Sequence, residues 1–469
     1  MSSPFDEAKY NALLKGLEVS EVKFSNLKAE NVELRIDAEY FQKEYLYEDN
    51  SLSKHKIATL GNYAFITDGQ HGYYESDSSS NIHMLAARNC KDYFANIIDA
   101  LPLAKWVDDK NKRSSLSHGD IILSTRGSVG CCAIVYDEVL PANINQDVAR
   151  IKLNDTEIFS PEFLITYMNC KFGQNWMLRN QTGMVQQGLP LDKVRAIPVP
   201  VLSSDFQTQI EKIVKSAHTK LSESKSLYAK AEEILLSELG LKDWQPKNES
   251  VSVKKFSDFT ASNRLDAEYY QRKYDEIENA IKAYKGGYFT LRDCVKSYST
   301  GYPFDSKSYV EDGYKLIRIT NIKSPYLDLS NAVSIPQKDV MLSPRDVVNE
   351  NDILISMSGT IGNSCVIPAK TKAVINQRIL KITPKNYNPM VLSLLINSIL
   401  CKMLFERIGT GGVQVNISST DMFKILIPIL PLKTQEQIAE LIQKSFALRA
   451  ESKRLLEEAK KMVEAEIEK

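Results

Sequence analysis

The sequence lacks the marks of a secreted or membrane-bound protein. Residues 1–10 contain two acids and no apolar run, and nowhere do 18 apolar residues follow one another. The seven cysteines are odd in number and include no C-x-x-C pair, so we interpret them as reduced, buried thiols rather than zinc ligands. We therefore predict a cytoplasmic protein that binds neither a membrane nor a metal.

An excess of charge of one sign is also missing. Lys and Arg number 59 and Asp and Glu number 59, so the formal net charge is zero. Nucleic-acid binding depends on clustered basic residues rather than on a basic total, so this balance neither supports nor excludes such a partner. With 43% hydrophobic and 25% charged residues the composition is that of a globular protein, and 469 residues predict two or three domains.

Motifs that bind nucleotides or transfer methyl groups are absent as well. The sequence contains no N-P-P-Y or D-P-P-Y adenine-methylation motif, no complete G-x-G-x-x-G and no G-x-x-x-x-G-K-[ST] phosphate loop. We therefore predict a chain without catalytic residues that binds neither S-adenosylmethionine nor ATP by itself.

What the sequence does contain is a long internal repeat. RIDAEYFQK at 35–43 recurs as RLDAEYYQR at 264–272, a shift of 229 residues. GDIILSTRGSVG at 119–130 recurs as NDILISMSGTIG at 351–362. Further matches in the same order are Asn145-Gln146 with Asn376-Gln377, TGMVQ at 182–186 with TGGVQ at 410–414, and the proline-flanked runs at 197–200 and 427–431. A repeat unit of about 230 residues is too long for a solenoid, so the chain is a tandem duplication.

The N-terminus resembles the end of the first repeat. ALLKGL at 12–17 is similar to LLSELGL at 235–241, where a long helix is predicted to end. We therefore expect the N-terminal segment to complete the second helix region and to pack beside the C-terminus. The result would be a pseudo-two-fold, circular organisation.

Each repeat ends in a long helical pattern. From Phe206 to about Leu239 there is neither Pro nor Gly, and apolar or small residues recur in alternating steps of four and three, the spacing of a coiled-coil seam. Small residues at every seventh position of both helices favour close pairing, which we predict to be antiparallel over about 50 Å. The alternative is that each helix merely covers its own domain. The predicted seam comprises Ile210, Val214, Ala217, Leu221, Ser224, Tyr228, Ala231 and Leu235 in the first helix and Ile438, Ile442, Ser445, Ser452, Leu456, Ala459 and Val463 in the second.

The remainder of each repeat predicts an α+β domain. β-branched and aromatic residues broken by turn signals indicate a mixed, largely antiparallel sheet, with short helices such as 161–170 and 389–403. The glycines of 127–130 and 359–362 follow strand-like runs, so we predict tight hairpins there. A nucleic-acid-clamping G-x-x-G loop would need a helix on both sides.

These motifs together resemble the specificity subunit of type I restriction-modification systems over essentially the whole chain. The features that carry the resemblance are R-x-D-A-E-Y-[FY]-Q opening each half, the hairpin motif at its middle, T-G-x-V-Q near its end, and then proline and a long helix. The resemblance implies that each half is a target recognition domain for one part of a split, asymmetric site in double-stranded DNA. It further implies that the helices set the gap and dock two methyltransferase subunits.

The full complex implied by the resemblance also contains motor-nuclease subunits. S-adenosylmethionine, ATP and Mg would then be bound by the partners. The domains that we predict are an N-terminal helical segment at 1–21, recognition domains at 22–204 and 254–431, spacer helices at 205–242 and 432–469, and a linker at 243–253.

Candidate DNA contacts are polar side chains on predicted loops. Base edges are read chiefly by Arg, Asn and Gln in the major groove. Gln186, Gln187, Gln414 and Asn416 have this chemistry beside glycines, although these loops could serve only to turn the chain. A second group comprises Gln70, His71, Tyr73 and Tyr74, with Tyr302 in the other repeat, for which hairpin packing is the alternative.

Basic residues at strand ends form the remaining candidates. Phosphate or base contact is predicted for Arg88, Asn89 and Lys91, their counterparts Arg318, Asn321 and Lys323, and the arginines Arg126, Arg179 and Arg407. Exposed arginines are often only solvated. The duplicated pairs Arg35/Asp37 and Arg264/Asp266 are instead predicted to be ion pairs within each domain, because domains that read different sequences share scaffold rather than contacts.

Two other functional classes remain open at this stage. One is a single-chain restriction or modification enzyme whose active site lacks a recognisable motif, which binding of S-adenosylmethionine by the pure chain would reveal. The other is a structural adaptor, which salt-sensitive binding to duplex DNA would exclude.

Overall fold

The computed structural model divides into two compact units. The first unit comprises Met1–Ser222 and Arg449–Lys469, and the second comprises Glu223–Leu448. The residues that the structure describes are 6–25, 27, 35–72, 74–183, 187–246, 249, 251–262, 264–409 and 416–469.

The first unit consists of short strands and helices followed by one end of each long helix. Its helices are α1 (Glu7–Leu14), α2 (Lys43–Ser53), α3 (Lys105–Lys110), α4 (Pro161–Asn169), α5 (Lys171–Arg179), α6 (Leu191–Ala196) and the start of α7 (Ser204–Glu238). Its strands are β1 (Ile57–Thr59), β2 (Ala64–Asp68), β3 (His83–Leu85), β4 (Leu101–Pro102), β5 (Ile121–Ser124), β6 (Cys132–Ile134), β7 (Ala142–Ile144), β8 (Val148–Leu153) and β9 (Pro198–Pro200).

The second unit repeats most of this order of elements and contains two additional strands. Its helices are α8 (Phe256–Ser262), α9 (Arg272–Ala283), α10 (Gln337–Val340), α11 (Pro389–Asn397), α12 (Ile399–Ile408), α13 (Ser419–Met422) and the start of α14 (Leu432–Glu468). Its strands are β10 (Tyr288–Thr290), β11 (Val295–Ser299), β12 (Tyr314–Ile317), β13 (Ile322–Lys323), β14 (Tyr326–Leu327), β15 (Ser334–Ile335), β16 (Ile353–Ser356), β17 (Ser364–Val366), β18 (Ala373–Ile375), β19 (Ile379–Pro384) and β20 (Leu426–Pro428).

The two larger sheets have the same topology in both units, and the β13-β14 hairpin has no counterpart among the described residues of the first unit. A four-stranded antiparallel sheet has the order β2-β8-β5-β6 in the first unit and β11-β19-β16-β17 in the second. A smaller sheet, β4-β3-β7 or β15-β12-β18, contains one parallel pair, β3 with β7 or β12 with β18. This confirms the predicted mixed, largely antiparallel α+β fold, and the hairpins predicted at the two glycine motifs are the β5–β6 and β16–β17 turns.

Local sequence explains where the helices of the core begin. The Ser160 side chain accepts a hydrogen bond from Phe163 N, and Pro161 occupies the first turn of α4. Asn388 and Pro389 play the same parts for α11. An oxygen-bearing cap followed by proline satisfies or removes the free N–H groups of a helix start.

Each predicted hydrophobic helix of the core is in fact part of two consecutive helices. The run predicted as 161–170 is followed by α5, and the run predicted as 389–403 is interrupted at Ser398, after which α12 begins. No single described helix is long and apolar enough to cross a membrane, and the bent pair α11/α12 passes that test only by length and composition. Seven of the nine residues of α11 are buried, and α12 buries Leu400, Cys401, Leu404 and Phe405 in the second unit's core.

The long helices pair through small side chains. In the first unit, Ser452 Oγ donates to the carbonyl of Ala217 at 2.7 Å. In the second unit, the Ser224 and Ser445 hydroxyls each donate to the other's backbone carbonyl, at 2.8 and 2.7 Å. The partners follow in opposite order along α14, so α7 and α14 are antiparallel. A short side chain reaches the opposite backbone only where two helices approach closely.

Burial along these helices follows the predicted seam. The predicted seam residues are buried except Leu221, Tyr228 and Leu456, which are partly buried. Ile210 and Val214 share the first unit's core with Val463, and Leu235 shares the second unit's core with Ile442. Each long helix therefore contributes to the core of both units as well as to the pair.

The N-terminal helix α1 lies outside these cores. Asp6 caps it by accepting from Lys9 N at 3.0 Å, and none of its residues is buried. The segment after it contacts the start of α2, where Lys43 N donates to Glu18 at 2.9 Å. That residues 1–21 complete the second helix region stays a prediction.

The cysteines are unpaired and mostly buried, as predicted for reduced thiols. Burial raises the pKa of Cys170, Cys365 and Cys401 to about 12, which keeps these thiols protonated at neutral pH. Within the ranges that the structure covers, no group of three or more His, Cys, Asp or Glu side chains could hold a metal ion.

One buried carboxylate distinguishes the first unit from the second. Glu48 on α2 is buried and accepts a hydrogen bond from Asn175 at 2.8 Å. Burial raises its pKa to about 7, although the hydrogen bond opposes the rise. The equivalent residue of the second unit is Ile277, which is fully buried.

The stability of the first unit is therefore expected to fall as the pH rises through about 7. The folded state holds Glu48 protonated, whereas the unfolded chain releases this proton near its ordinary pKa of 4.5. The loss amounts to about 3 kcal/mol at most, since one pKa unit corresponds to about 1.4 kcal/mol. Urea denaturation at pH 5 and pH 8 measures it. Glu48→Gln should remove the decline and Glu44→Gln, at an exposed neighbour, should retain it; equal slopes in both variants would contradict the assignment.

Candidate nucleic-acid interface

The duplicated motifs of the first repeat converge at one place in the first unit. Gln70, just after β2, forms a bridge with Asn145 in the β7–β8 turn. Thr125, at the end of β5, donates its N–H to the carbonyl of Asp147 at 2.9 Å and accepts at its own carbonyl from Leu189 N. Motifs far apart in sequence therefore form one surface, which we call the first site; it consists of residues 68–72, 113, 125–127, 145–147 and 187–188.

The second unit builds an equivalent surface. Tyr302, after β11, forms a bridge with Asn376, which lies in the β18–β19 turn. Met357, after β16, donates its N–H to the carbonyl of Arg378 and accepts from Ile417 N, both at 3.0 Å. We call residues 300–302, 357–358, 376–378 and 416 the second site.

Glycine is required where two of these segments touch. A Cβ at Gly69 would lie 1.8 Å from the carbonyl oxygen of Ile144, and one at Gly301 would lie 2.0 Å from that of Asn376. Gly301 also has a φ of 77°, which L side chains rarely adopt. Each glycine follows an edge strand of the four-stranded sheet, β2 or β11. Because glycine has no side chain, the backbone there can pass directly against the Asn-Gln turn.

Gly301→Ala is therefore expected to displace Tyr302 and Asn376 and to abolish whatever the second site binds. Gly240→Ala is the matched control, because Gly240 has a φ of 69° but no atom within 4 Å of its Cβ position. The control should cost about 1 kcal/mol through strain alone. Thermal unfolding and the DNA-modification assay below measure both effects, and equal losses in the two variants would show that close packing is not the cause.

Each unit contains a buried ion pair whose cation lies on a strand of the four-stranded sheet, β8 or β19. In the first unit Arg150 Nε donates to Asp120 at 2.7 Å, and both side chains are almost fully buried. Burial raises the pKa of Asp120, although the charge of Arg150 opposes the rise. In the second unit Lys381 lies 3.8 Å from Asp352 and donates to the carbonyls of Arg345 and Val347, each at 2.6 Å.

Charged side chains surround the first site. Asp68 accepts hydrogen bonds from His71 at 2.6 Å and from Arg113 at 2.9 Å. These bonds lower the pKa of Asp68 despite its burial, which acts in the opposite direction. Arg126 lies 3.7 Å from Asp147, and its side chain is 52% exposed. The first site therefore offers a histidine and two arginines, partly neutralised by carboxylates.

The predicted contact residues occupy several different environments. Gln70, His71, Arg126, Gln187, Tyr302 and Asn416 belong to the two sites, and all are at least partly exposed. Arg88, Lys91 and Lys323 are exposed and Arg318 is half-buried, all at the ends of strands in the smaller sheets. Tyr74 packs instead against the hydrophobic cluster around Met84. Tyr73, Gln186 and Gln414 lie outside the described residues.

Asn89 and Asn321 are corrected by the structure. Each is buried and completes a cap, Asn89 by accepting from Ala86 N and donating to the carbonyl of Ile98. Asn321 accepts from Arg318 N and donates to the carbonyl of Asp328, in the same arrangement. Their duplication reflects a shared turn rather than contact with DNA.

Arg179 and Arg407 are also structural. Arg179 donates to Asp49 at 2.6 Å and stacks on Tyr40, 4.1 Å from the ring centre. Arg407 donates to Asp275 and Glu278, and stacks on Tyr269. Both side chains are about nine-tenths buried, so the DNA contacts predicted for these arginines are wrong.

Tyr40 and Tyr269, on which these two arginines stack, belong to the R-x-D-A-E-Y motif. Arg35 makes a two-fold ion pair with Asp37, both bonds being 2.8 Å long, and donates to the Arg179 carbonyl. Arg264 pairs with Asp266 in the same way, and its hydrogen bond lowers the pKa of Asp266 to about 2. The predicted intradomain ion pairs are confirmed.

Sequence reasoning missed Arg113, Asp147 and Arg378 in the two sites. Arg113 follows a short helix, and only the folded chain brings it to Asp68. Asp147 and Arg378 directly follow the duplicated Asn-Gln pairs. They occupy the same position of the repeat and have opposite charges, and this difference could have identified them as candidate site residues from the sequence.

Comparison with known proteins relates the second half of the chain to a family. Residues 287–461 match the family described as type I restriction modification DNA specificity domain. Over 140 residues the chain is 23% identical to the specificity subunit of the type I restriction enzyme EcoBI from Escherichia coli. That match covers 29% of this chain and 30% of the relative, so the chain spans less than a third of the length of the curated protein that it matches.

Solved structures of similar proteins were also found. The S subunit of a type I restriction-modification system from M. genitalium aligns over 88% of this chain and 95% of its own length, with a TM-score of 0.39 and 11% identity. The HsdS subunit from Thermoanaerobacter tengcongensis aligns over 88% of this chain and 96% of its own, with a TM-score of 0.28 and 14% identity.

Proposed function

We propose that this chain, which carries a type I restriction modification DNA specificity domain over residues 287–461, is the DNA-recognition subunit of such a system. In this proposal each unit reads one half of a bipartite, asymmetric site in double-stranded DNA. The observation that supports this proposal is the duplicated site. Each unit forms one such site from equivalent strands and turns, and the exposed side chains of the two sites differ.

The contrast between framework and surface supports recognition of two different sequences. Framework elements are equivalent in the two units: a close-packed glycine, an asparagine bridge and a buried cation with its aspartate. The surface side chains differ, since Gln70 is matched by Tyr302, and the exposed Arg126 is matched by the buried Ser358. Direct readout depends on which donors and acceptors a loop presents, so an identical framework with exchanged side chains suits two half-sites.

The paired helices are the proposed spacer and docking element. In this proposal their antiparallel pairing through serine and alanine makes them the spacer, and helices of 35 and 37 residues are about 50 Å long. In the proposed complex two methyltransferase subunits dock on this chain, and motor-nuclease subunits join the complete assembly. S-adenosylmethionine, ATP and Mg belong to these partners, and the complex acts on cytoplasmic DNA.

Methylome sequencing tests this function. A host lacking other methyltransferases receives this chain together with a type I methyltransferase subunit, and each is also expressed alone. We expect methylation of one split motif only when both are present. A motif produced by this chain alone would identify it as an enzyme, and a motif produced by the methyltransferase alone would remove its role in recognition.

A further inference from the structure

The β18–β19 turn of the second site carries an arginine in an unusual backbone conformation. Arg378 has a φ of 68°, in the left-handed region that glycine adopts at no cost and arginine rarely adopts. Its carbonyl accepts from Met357 N at 3.0 Å, which holds this conformation in place. Glycine or asparagine would suit the backbone better at this position.

The bonding of the Arg378 side chain to the described residues does not explain why this position holds an arginine. Arg378 and its neighbour Gln377 are both exposed. Within the part of the chain that is described, no hydrogen bond or ion pair is recorded for the Arg378 guanidinium, whereas buried Arg179 and Arg407 are bonded to carboxylates. Backbone strain that supports no packing is concentrated at functional sites.

The two sites place their arginines on different segments. In the first site Arg126 follows β5 and lies 3.7 Å from Asp147 in the β7–β8 turn. In the second site the equivalent positions hold Ser358 and Arg378. The guanidinium therefore comes from the hairpin in one unit and from the Asn-Gln turn in the other, and the second lacks the neutralising aspartate at that position.

We infer that Arg378 is a base-reading residue of the second unit and that it recognises a guanine in the major groove. This inference rests on the proposed function and deepens it by naming a specificity-determining residue. The planar guanidinium can donate two parallel hydrogen bonds, to O6 and N7 of guanine, an acceptor pair that no other base presents. Lysine carries the same charge but lacks this rigid pair of donors.

The test compares Arg378→Gly and Arg378→Lys with a matched control in the full-length chain. Lys370→Gly is the control because Lys370 is also exposed and has a φ of 61°. Lys370 lies in the β17–β18 turn, close in sequence to Ile367. The Ile367 carbonyl accepts a hydrogen bond from Asn351 N, at the start of the β16–β17 hairpin. The second site includes residues 357–358 at the opposite end of that hairpin. Each variant is expressed with the methyltransferase subunit, the methylated motif is sequenced, and thermal unfolding is recorded.

Arg378→Gly is expected to unfold at the same temperature as the parent or higher, since glycine relieves the strain. One guanine of the half-site read by the second unit should become degenerate, with discrimination at that position falling about ten- to hundredfold. Arg378→Lys should keep part of the activity and lose the same discrimination, and Lys370→Gly should leave the motif unchanged.

An unchanged motif in folded Arg378→Gly would overturn the inference, as would a loss of methylation that Arg378→Lys restores without any change in the motif. The latter result would mark a phosphate contact. Should Arg378→Gly fail to fold, Arg378→Lys decides by its motif alone. Failure of the proposed function is distinguishable, because the unmodified chain would then produce no motif that depends on it.

Discussion

Asp120→Ala is expected to destabilise the first unit by about 3–5 kcal/mol, a large part of the stability of a typical domain. The substitution leaves Arg150 almost fully buried with a charge that cannot be neutralised, because arginine stays protonated in proteins. Arg150 also donates to the carbonyl of Arg113, and Arg113 in turn donates to Asp68 in the first site. Loss of the pair should therefore disturb the site as well as the core.

Asp352→Ala provides the matched comparison in the second unit. Lys381 keeps two carbonyl acceptors and the negative charge of Asp346, and burial already lowers its pKa. A lysine whose folded pKa is depressed gains stability as the pH rises from that pKa toward the ordinary 10.5. The loss of stability in Asp352→Ala should therefore be smaller than that in Asp120→Ala at pH 7, and smaller still at pH 9.

Urea denaturation of both variants at pH 7 and pH 9 measures these differences. Asp120→Ala should show the same loss at both values. Equal, pH-independent losses in the two variants would mean that the protonation of Lys381 contributes nothing.

Inserting one heptad into each long helix is expected to widen the proposed gap between half-sites by up to about three base pairs. The insertions are placed between Ser222 and Ala231 of α7 and at the facing positions of α14, so that the seam stays in phase. Seven residues add about 10 Å at about 1.5 Å per residue, and duplex DNA rises about 3.4 Å per base pair. The bases read at each end should not change.

A heptad inserted into only one helix is the control. It breaks the match between Ser224 and Ser445, so we expect lost activity rather than a longer gap. Methylome sequencing reads both results. An unchanged gap with full activity in the double insertion would show that the helices are not the spacer, and a smaller increase would mean that they run obliquely to the DNA.

The features that could be predicted from sequence are those that repeat or follow a period. The duplicated motifs predicted two α+β units, and the family match agrees with the resemblance over residues 287–461. Steps of four and three identified the seam because the side chains that face the partner helix in a coiled coil recur every 3.5 residues. Arg35 and Asp37 were assigned to each other because a contact two residues away needs little knowledge of the fold.

The contact residues were harder to predict because their partners are distant in sequence. Arg179 reads as an exposed residue at a helix end, yet it is buried against Tyr40 and Asp49, about 130 residues earlier. Asn89 and Asn321 have the chemistry of adenine readers, but they satisfy backbone groups of their own turns. Arg378 stood beside a recognised motif, and only the backbone angle distinguished it from an ordinary solvated arginine.

The small-residue layers between α7 and α14 also bear on how the two helices could slide. Extending the pairing of Ala217 with Ser452 by heptads brings Ile210 opposite Ala459 and Ala231 opposite Ile438, each pair sharing one core. A slip of one heptad would still match Ser224 with another serine, so the serines alone tolerate a shifted alignment. The flanks do not, because Ala231 would face Ser445 across a void and Ile438 would face the charged Glu238. Large-against-small complementarity therefore selects a single alignment of the two helices.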